Sequence, residues 1–478
     1  MDTGIDHVVL CVADQWRGDA LGQLGTPGVL TPHLDRLADD AVTFANHHCV
    51  ASPCGPARRS LHTGTLATTH GQFTNDGEQG ADLETLAGRL AGEGITPLLI
   101  GYTDTPTRDH DPDDWETLID PAFEVVQPFV WQHGFPRWKQ ALRDAGHGDG
   151  GKHPFGPYAP AGSPDSGGLA PAHYPSELSD VRFLTDAAIA TLERLPERSL
   201  LHVNWLRPHP PMTAPAPWHR LIDPESVELP ARQPLAAQIE QHPYFAATVP
   251  NRSMTEYTQL RRRIEEVDEQ TERHVRAAYY GLCAEVDDAV GRLIDELQAR
   301  GLWDRTLFVF TSDHGEALGD HWIWGRRGPF DGHLRVPCLV RDPRQVARST
   351  RGTRVDAPTA AHDLLATICA AVGVEPPATS EGESLLPFVH GERPTWRDHL
   401  TFAMSWADHA HAANLDPDDA VLQVVRTDRH RLVRFPTLPP LLFDRDEDPL
   451  ESVDLGTDPA RRRIIDELDA LAPAFPDP

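Results

Sequence analysis

Positive charge is in short supply in this 478-residue chain, where 43 lysines and arginines face 72 aspartates and glutamates for a formal net charge of −29. A surface that acidic repels DNA, RNA and anionic membranes, because neutralising phosphates takes clustered basic side chains. It also excludes long-range steering of an anionic substrate, so any anion site must be a local concentration of metal, arginine and histidine. Long apolar runs are missing too, and none approaches the roughly 20 residues that span a bilayer. The opening residues up to His7 contain no basic stretch followed by an apolar one. No secretion signal is therefore visible, and a cytoplasmic location is the expectation. The six cysteines, at 11, 49, 54, 283, 338 and 369, are not closely paired, which argues against a disulfide framework or a zinc knuckle.

What the chain does have is 40% apolar and 24% charged residues, enough for a substantial core without a signature of disorder. Its length predicts one large domain plus a smaller one. Apolar runs at 7–13, 96–101, 200–206, 306–311 and 336–340 read as buried strands. Between them, helical spacing appears at 34–40, 82–92, 180–195 and 265–300, and Ser60 to Leu66 could open a further helix. Strands alternating with helices predict an α/β fold with a doubly wound, mainly parallel sheet flanked by helices. Residues 104–176, rich in Pro, Gly, Asp and His, read as an irregular insertion whose His110, His133, His147 and His153 are solvated. Beyond about residue 385 the pattern changes to short antiparallel strands at 400–405, 421–427 and 431–435 and a closing helix at 459–471. The expected organisation is a catalytic domain over 1–385 and a small C-terminal α+β domain over 386–478.

Asp14 and the pair Asp313-His314 stand at strand ends, where ligands collect in open α/β sheets. Alone, each is compatible with a turn or cap residue; together, two carboxylates and an imidazole could hold one divalent cation. The segment Cys54-Gly55-Pro56-Ala57-Arg58, followed by Thr63-Gly64, resembles the formylglycine signature of type I sulfatases. Asp14, Tyr279-Tyr280 with Glu285, Asp287, Asp288 and Gly291, the run Thr311 to Glu316, and the run Leu442 to Glu451 with Asp448-Pro449 occur in that family's order. The chain thus resembles the sulfatase and alkaline phosphatase superfamily over most of its length. Within it, the sequence is most similar to the phosphonate monoester hydrolases and related phosphodiesterases. Gln15 stands where typical sulfatases carry a second metal-binding Asp. The segment after Gly101-Tyr102-Thr103-Asp104 lacks the sulfatase Gly-Lys-Trp-His. Asn75 follows His70 at the expected distance, and Arg326 replaces the usual Lys. Asp104 and His62 depart from that pattern, the first within the expected anion pocket.

The resemblance implies a hydrolase of ester bonds with Cys54 oxidised to formylglycine as nucleophile and Arg58 holding its hydrated form. It implies metal ligation by Asp14, Asp313, His314 and residue 54, with Mn²⁺ favoured and Ca²⁺, Fe²⁺ or Zn²⁺ also compatible. Arg326, Gln15 and Asn75 would stabilise charge on the ester, with Tyr102 lining the pocket and His209 as acid for the leaving group. The expected partners are a small anionic ester, a formylglycine-generating enzyme during maturation and further copies of the chain as a dimer or tetramer, with no nucleic acid and no membrane. Two rivals stand beside the phosphonate monoester or phosphodiester reading. One is an arylsulfatase on the same fold; the other is a non-catalytic metal-binding protein in which Cys54 stays a thiol.

Overall fold

The computed structural model describes residues 4–475 apart from 76–82, 106–113, 131–134, 152–155, 163–169, 251, 259, 327 and 417–419. His110, His133 and His153 lie outside the described residues.

Eight strands form the main sheet in the spatial order Thr353–Val355, Val42–Phe44, Cys338–Arg341, Thr306–Ser312, His7–Asp14, Ser199–Pro208, Thr96–Gly101 and Glu124–Pro128. All neighbours pair in parallel except Cys338–Arg341, which runs antiparallel to both strands beside it. The central strands are buried on both faces, as the uninterrupted apolar run Val8 to Ala13 requires of a sheet covered by helices. The helix Glu269–Ala299 is the longest of these covers and packs against Asp180–Thr191 and the strand Ser199–Pro208. Its Asp287 carboxylate accepts from the backbone N–H of His33 and Leu34, capping the helix Pro32–Asp39.

A second sheet, mostly antiparallel, has the order Leu441–Asp444, His430–Arg434, Val421–Thr427, His399–Ser405 and Ala51–Ser52. Its last strand belongs to the N-terminal part of the chain and pairs in parallel with Ala403 and Met404, two residues before Cys54. A buried cluster including Phe330, Leu334, Phe402, Val424 and Phe443 fills the space between this sheet and the catalytic side. The helix Arg462–Asp469 closes over its other face through Ile465 and Leu468.

Two sequence expectations are corrected. The insertion is not irregular throughout: Glu124–Pro128 adds an edge strand to the main sheet, and Pro136–Asp144 is a helix. Phe129, Phe135, Trp138, Tyr158 and Tyr174 pack ring against ring there, giving the segment a core that its proline and glycine content conceals. The helix expected from Ser60 starts instead at Cys54 and ends at Thr63, with all ten residues buried. Pro56 sits in its first turn, where a missing N–H costs no intrahelical hydrogen bond.

Candidate active site

Four strands that are neighbours in the sheet centre deliver their carboxyl ends to one place. Thr306–Ser312 leads into Asp313 and His314, His7–Asp14 ends on Asp14 and leads into Gln15, Ser199–Pro208 leads into His209, and Thr96–Gly101 leads into Tyr102. The first turn of the helix Cys54–Thr63 enters the same space. Cys54 Sγ lies 3.2 Å from His314 Nε2 and 3.9 Å from Asp14 Oδ1. One ligand atom from each of Asp14, Cys54, Asp313 and His314 falls within 4.8 Å of the others, and all four residues are buried. His314 Nδ1 faces the Gly315 carbonyl at 3.0 Å, which aims Nε2 inward.

Arg58, one helical turn beyond Cys54, is fully buried against both carboxylates. Its Nη2 lies 3.0 Å from Asp14 Oδ2 and 2.9 Å from Asp313 Oδ2. The guanidinium stacks over the Tyr102 ring at 4.3 Å, and its Nε and Nη1 have no hydrogen-bond partner among the described residues. Two carboxylates, an imidazole and a thiol converge in this buried space beside guanidinium N–H groups that lack acceptors among the described residues. That donor set fits a divalent cation with an anion next to it. Burial pushes the Cys54 thiol well above its ordinary value; Arg326 pulls it down, while Asp14, Asp313 and Asp104 raise it further. The encoded thiol is therefore held as S–H when no cation is bound.

Gln15 adopts a left-handed backbone with φ of 67°, its N–H donating to Asp313 Oδ1 at 3.0 Å. Its side-chain amide donates to Glu316 Oε2, and its Oε1 is buried without a partner among the described residues. Arg326 Nη1 reaches His209 Nε2 at 2.5 Å, and His209 Nδ1 faces the Pro210 carbonyl at 2.6 Å. Burial first, then Arg326, keeps the His209 imidazole well below its ordinary pKa. His209 is thus neutral and accepts from Arg326. To donate a proton to a leaving group, it needs Arg326 to turn toward the substrate and Nε2 to take up a proton.

Gln15, His209, Gly325 and Arg326 form one side of a cavity of about 900 Å³. Arg252, Tyr257, Trp324, Asp408, His409 and His411 complete much of the rest. Tyr102 and Asn75, expected on the substrate side, stand beside the buried cluster, which itself lies next to this cavity's lining at Gln15 and Arg326. The Tyr102 hydroxyl donates to Asp14 Oδ2, and Asn75 Oδ1 accepts from the Gly55 N–H at 2.9 Å. Tyr102 thereby braces the Asp14 carboxylate, and Asn75 braces the backbone next to Cys54.

Two sets of residues escaped the sequence reading. Glu316 was visible in the run Asp313-His314-Gly315-Glu316 but had no role there. In the structure its buried carboxylate takes Gln15, the Leu318 N–H at 2.9 Å and the Gly325 N–H at 2.6 Å. Burial raises its pKa, and the two backbone N–H groups and Gln15 offset part of that rise. The cavity wall at Asp408, His409 and His411 comes from the 3-10 helix Ala407–Ala413, far along the chain and without a local signal.

A parallel-sheet hydrolase core with two strand-end carboxylates, an imidazole and a helix-borne cysteine around one point defines an enzyme of the alkaline phosphatase type. Residues 6–374 match the family Sulfatase, and residues 319–472 match the family N-sulphoglucosamine sulphohydrolase, C-terminal. The chain belongs to the sulfatase family and is a hydrolase acting on ester bonds. It is 33% identical to the multifunctional alkaline phosphatase superfamily protein PehA of Trinickia caryophylli, over 96% of this chain and 93% of that one. An arylsulfatase of Clostridium perfringens is 24% identical over 97% of this chain and 92% of its own. The crystal structure of the phosphonate monoester hydrolase of Agrobacterium radiobacter superposes with a TM-score of 0.91 at 31% identity, covering 98% and 94% of the two chains. No helix among the described residues is long and apolar enough to cross a membrane.

Proposed function

We propose that this enzyme hydrolyses phosphonate monoesters or phosphodiesters with residue 54, oxidised to formylglycine, as its nucleophile. The observation that carries the choice of ester is Gln15. An amide, tied to Glu316 and with Oε1 unpaired, occupies the position beside the carboxylate pair where typical sulfatases carry a second metal-binding Asp. The full-length likeness to a phosphonate monoester hydrolase supports the same reading.

Asp14, Asp313, His314 and residue 54 would hold one divalent cation, Mn²⁺ by preference. When bound, it supplies positive charge that favours ionisation of the attacking oxygen and offsets charge on the ester. One hydroxyl oxygen of the hydrated residue 54 attacks phosphorus from the first turn of its helix, where Asn75 and Gly55 fix the backbone, and expels the leaving oxygen. The second hydroxyl then loses its proton and collapses to the aldehyde, breaking the link to phosphorus and releasing phosphate or phosphonate. Arg326 and the Gln15 amide take the non-bridging oxygens. Turning Arg326 onto an anion frees Nε2 and lifts the lesser cause of the His209 depression, burial being the greater. Nε2 can then take a proton from solvent and pass it to the leaving oxygen. Because Cys54 is buried in the folded chain, a formylglycine-generating enzyme would act on it before this arrangement closes.

Comparing kcat/KM for a phenyl phosphonate ester, a bis-aryl phosphate and an aryl sulfate tests the ester class. The phosphorus esters are expected to lead; a clear preference for the sulfate makes the enzyme an arylsulfatase. Mass spectrometry of the peptide containing residue 54, from protein made in its own host, should show the aldehyde. Unmodified thiol throughout would leave only a metal-binding protein. His209→Ala is expected to cost little with a nitrophenolate leaving group and roughly 10²- to 10⁴-fold with an alkoxide one. A loss independent of leaving-group pKa would confine His209 to holding Arg326.

A further inference from the structure

The C-terminal motif with Asp448-Pro449 and Glu451 lies in the small domain and has no part in the mechanism above, yet its contacts lead to the catalytic loop. Asp448 Oδ2 accepts from the N–H groups of Ser452 and Val453, at 2.5 and 2.8 Å, closing a tight turn. That turn holds Glu451 in a left-handed backbone with φ of 53°, an uncommon conformation for a non-glycine residue. Glu451 Oε1 then accepts from Arg431 Nε at 2.6 Å. Arg431, on the strand His430–Arg434, is wholly buried. Its other two nitrogens leave the small domain: Nη1 donates to the Pro329 carbonyl at 2.6 Å, and Nη2 pairs with Asp331 Oδ1. Pro329 and Asp331 lie at the far end of the segment that begins with Gly325 and Arg326, where the Gly325 N–H donates to Glu316 and Ser52 Oγ donates to the Arg326 carbonyl.

We propose that Arg431, aimed by Glu451, is the positioning residue through which the C-terminal domain sets the Arg326 guanidinium over the anion pocket. The fork geometry is what the role needs. One guanidinium serves a carboxylate on its own domain and two acceptors on the loop, which a lysine ammonium on a flexible stem does not reproduce. Arg426 and Arg445 also reach Asp331, at 3.2 and 3.0 Å, and share its charge, but Arg431 is the one of the three that also takes the Pro329 carbonyl. A displacement of about 1 Å in a group that binds the reacting oxyanion is enough to cost roughly tenfold or more.

The inference rests on Arg326 binding the anion, not on which ester is preferred. Its test therefore reads competitive inhibition by inorganic phosphate and by sulfate, alongside the melting temperature of the metal-loaded enzyme. Arg431→Lys is expected to raise both inhibition constants roughly tenfold when Arg326 is present and less than about twofold when combined with Arg326→Ala. Glu451→Gln, which removes charge only on the small-domain side, is expected to act in the same direction and more weakly. Equal weakening in both Arg326 backgrounds, or unchanged inhibition in both Arg431→Lys and Glu451→Gln, would overturn the positioning role. If Arg326→Ala alone leaves phosphate inhibition unchanged, the reading of Arg326 as an anion-binding residue fails instead.

Discussion

Replacing Cys54 with alanine is expected to lower turnover on the order of 10⁴- to 10⁶-fold, the range seen when a hydrolase loses its nucleophile. The expectation rests on position. Cys54 Sγ is the helix-borne group that faces both His314 and Asp14, at 3.2 and 3.9 Å. Each of the other five cysteines is buried elsewhere, and the nearest in sequence, Cys49, points its thiol at the His333 carbonyl at 3.7 Å. No second thiol is therefore placed to substitute. The fold should be nearly indifferent to the change, with a stability cost of about 1 kcal/mol, because a small buried side chain is shortened by one atom. Steady-state kinetics and thermal melting of the two proteins check both parts. More than about a hundredth of the original kcat in a Cys54→Ala protein of unchanged purity would remove residue 54 from the mechanism.

The second large effect concerns the cation. A chelator is expected to abolish activity, and added divalent metal to restore it. Asp313→Asn should weaken metal affinity on the order of 10²-fold or more, since it removes a charged ligand and not merely a supporting contact. Asp313 does three things that an amide cannot do together. Its Oδ2 pairs with Arg58, its Oδ1 accepts from the Gln15 N–H, and its charge joins that of Asp14 in the cation cluster. The binding of a ligand to the native state alone raises the melting temperature by mass action. Titrating metal should thus raise the melting temperature of the original protein and leave Asp313→Asn nearly flat over the same concentrations. An equal shift in both proteins would place the cation elsewhere. The folded Asp313→Asn protein should also melt lower without metal, because Arg58 loses one of its two buried counter-charges.

The legible parts of this site are those with a local signature. The strands ending in Asp14 and in Ser312 are short apolar runs that stop abruptly at a polar residue. A fully buried parallel strand must stop in that way when its carboxyl end meets a ligand. The Cys54 segment carries its proline and arginine within five residues, so the helix turn and the guanidinium travel with the nucleophile. The ring packing of Phe129, Phe135 and Trp138 had no such signature, because aromatic residues spaced among prolines and glycines fit no single period. Tyr102 was expected to meet substrate. A tyrosine after a strand reads as pocket-lining; its hydroxyl contact to Asp14, two strands away in the sheet, is visible only in the structure.

By itself, the sequence determined the class of chemistry: a sulfatase-family hydrolase with a cysteine in a formylglycine-like signature and carboxylate and imidazole groups at strand ends. It also determined the parallel core, since alternating buried strands and amphipathic helices admit few other arrangements. Only the tertiary structure decided what holds those residues in place. Gln15 meets Glu316, Arg326 meets His209, and the Arg326 loop hangs from Arg431 of the other sheet. These partners are a hundred or more residues apart. Each is an ordinary polar residue in its own neighbourhood, and only burial, which leaves a charged or hydrogen-bonding group no solvent to turn to, makes the pairing obligatory.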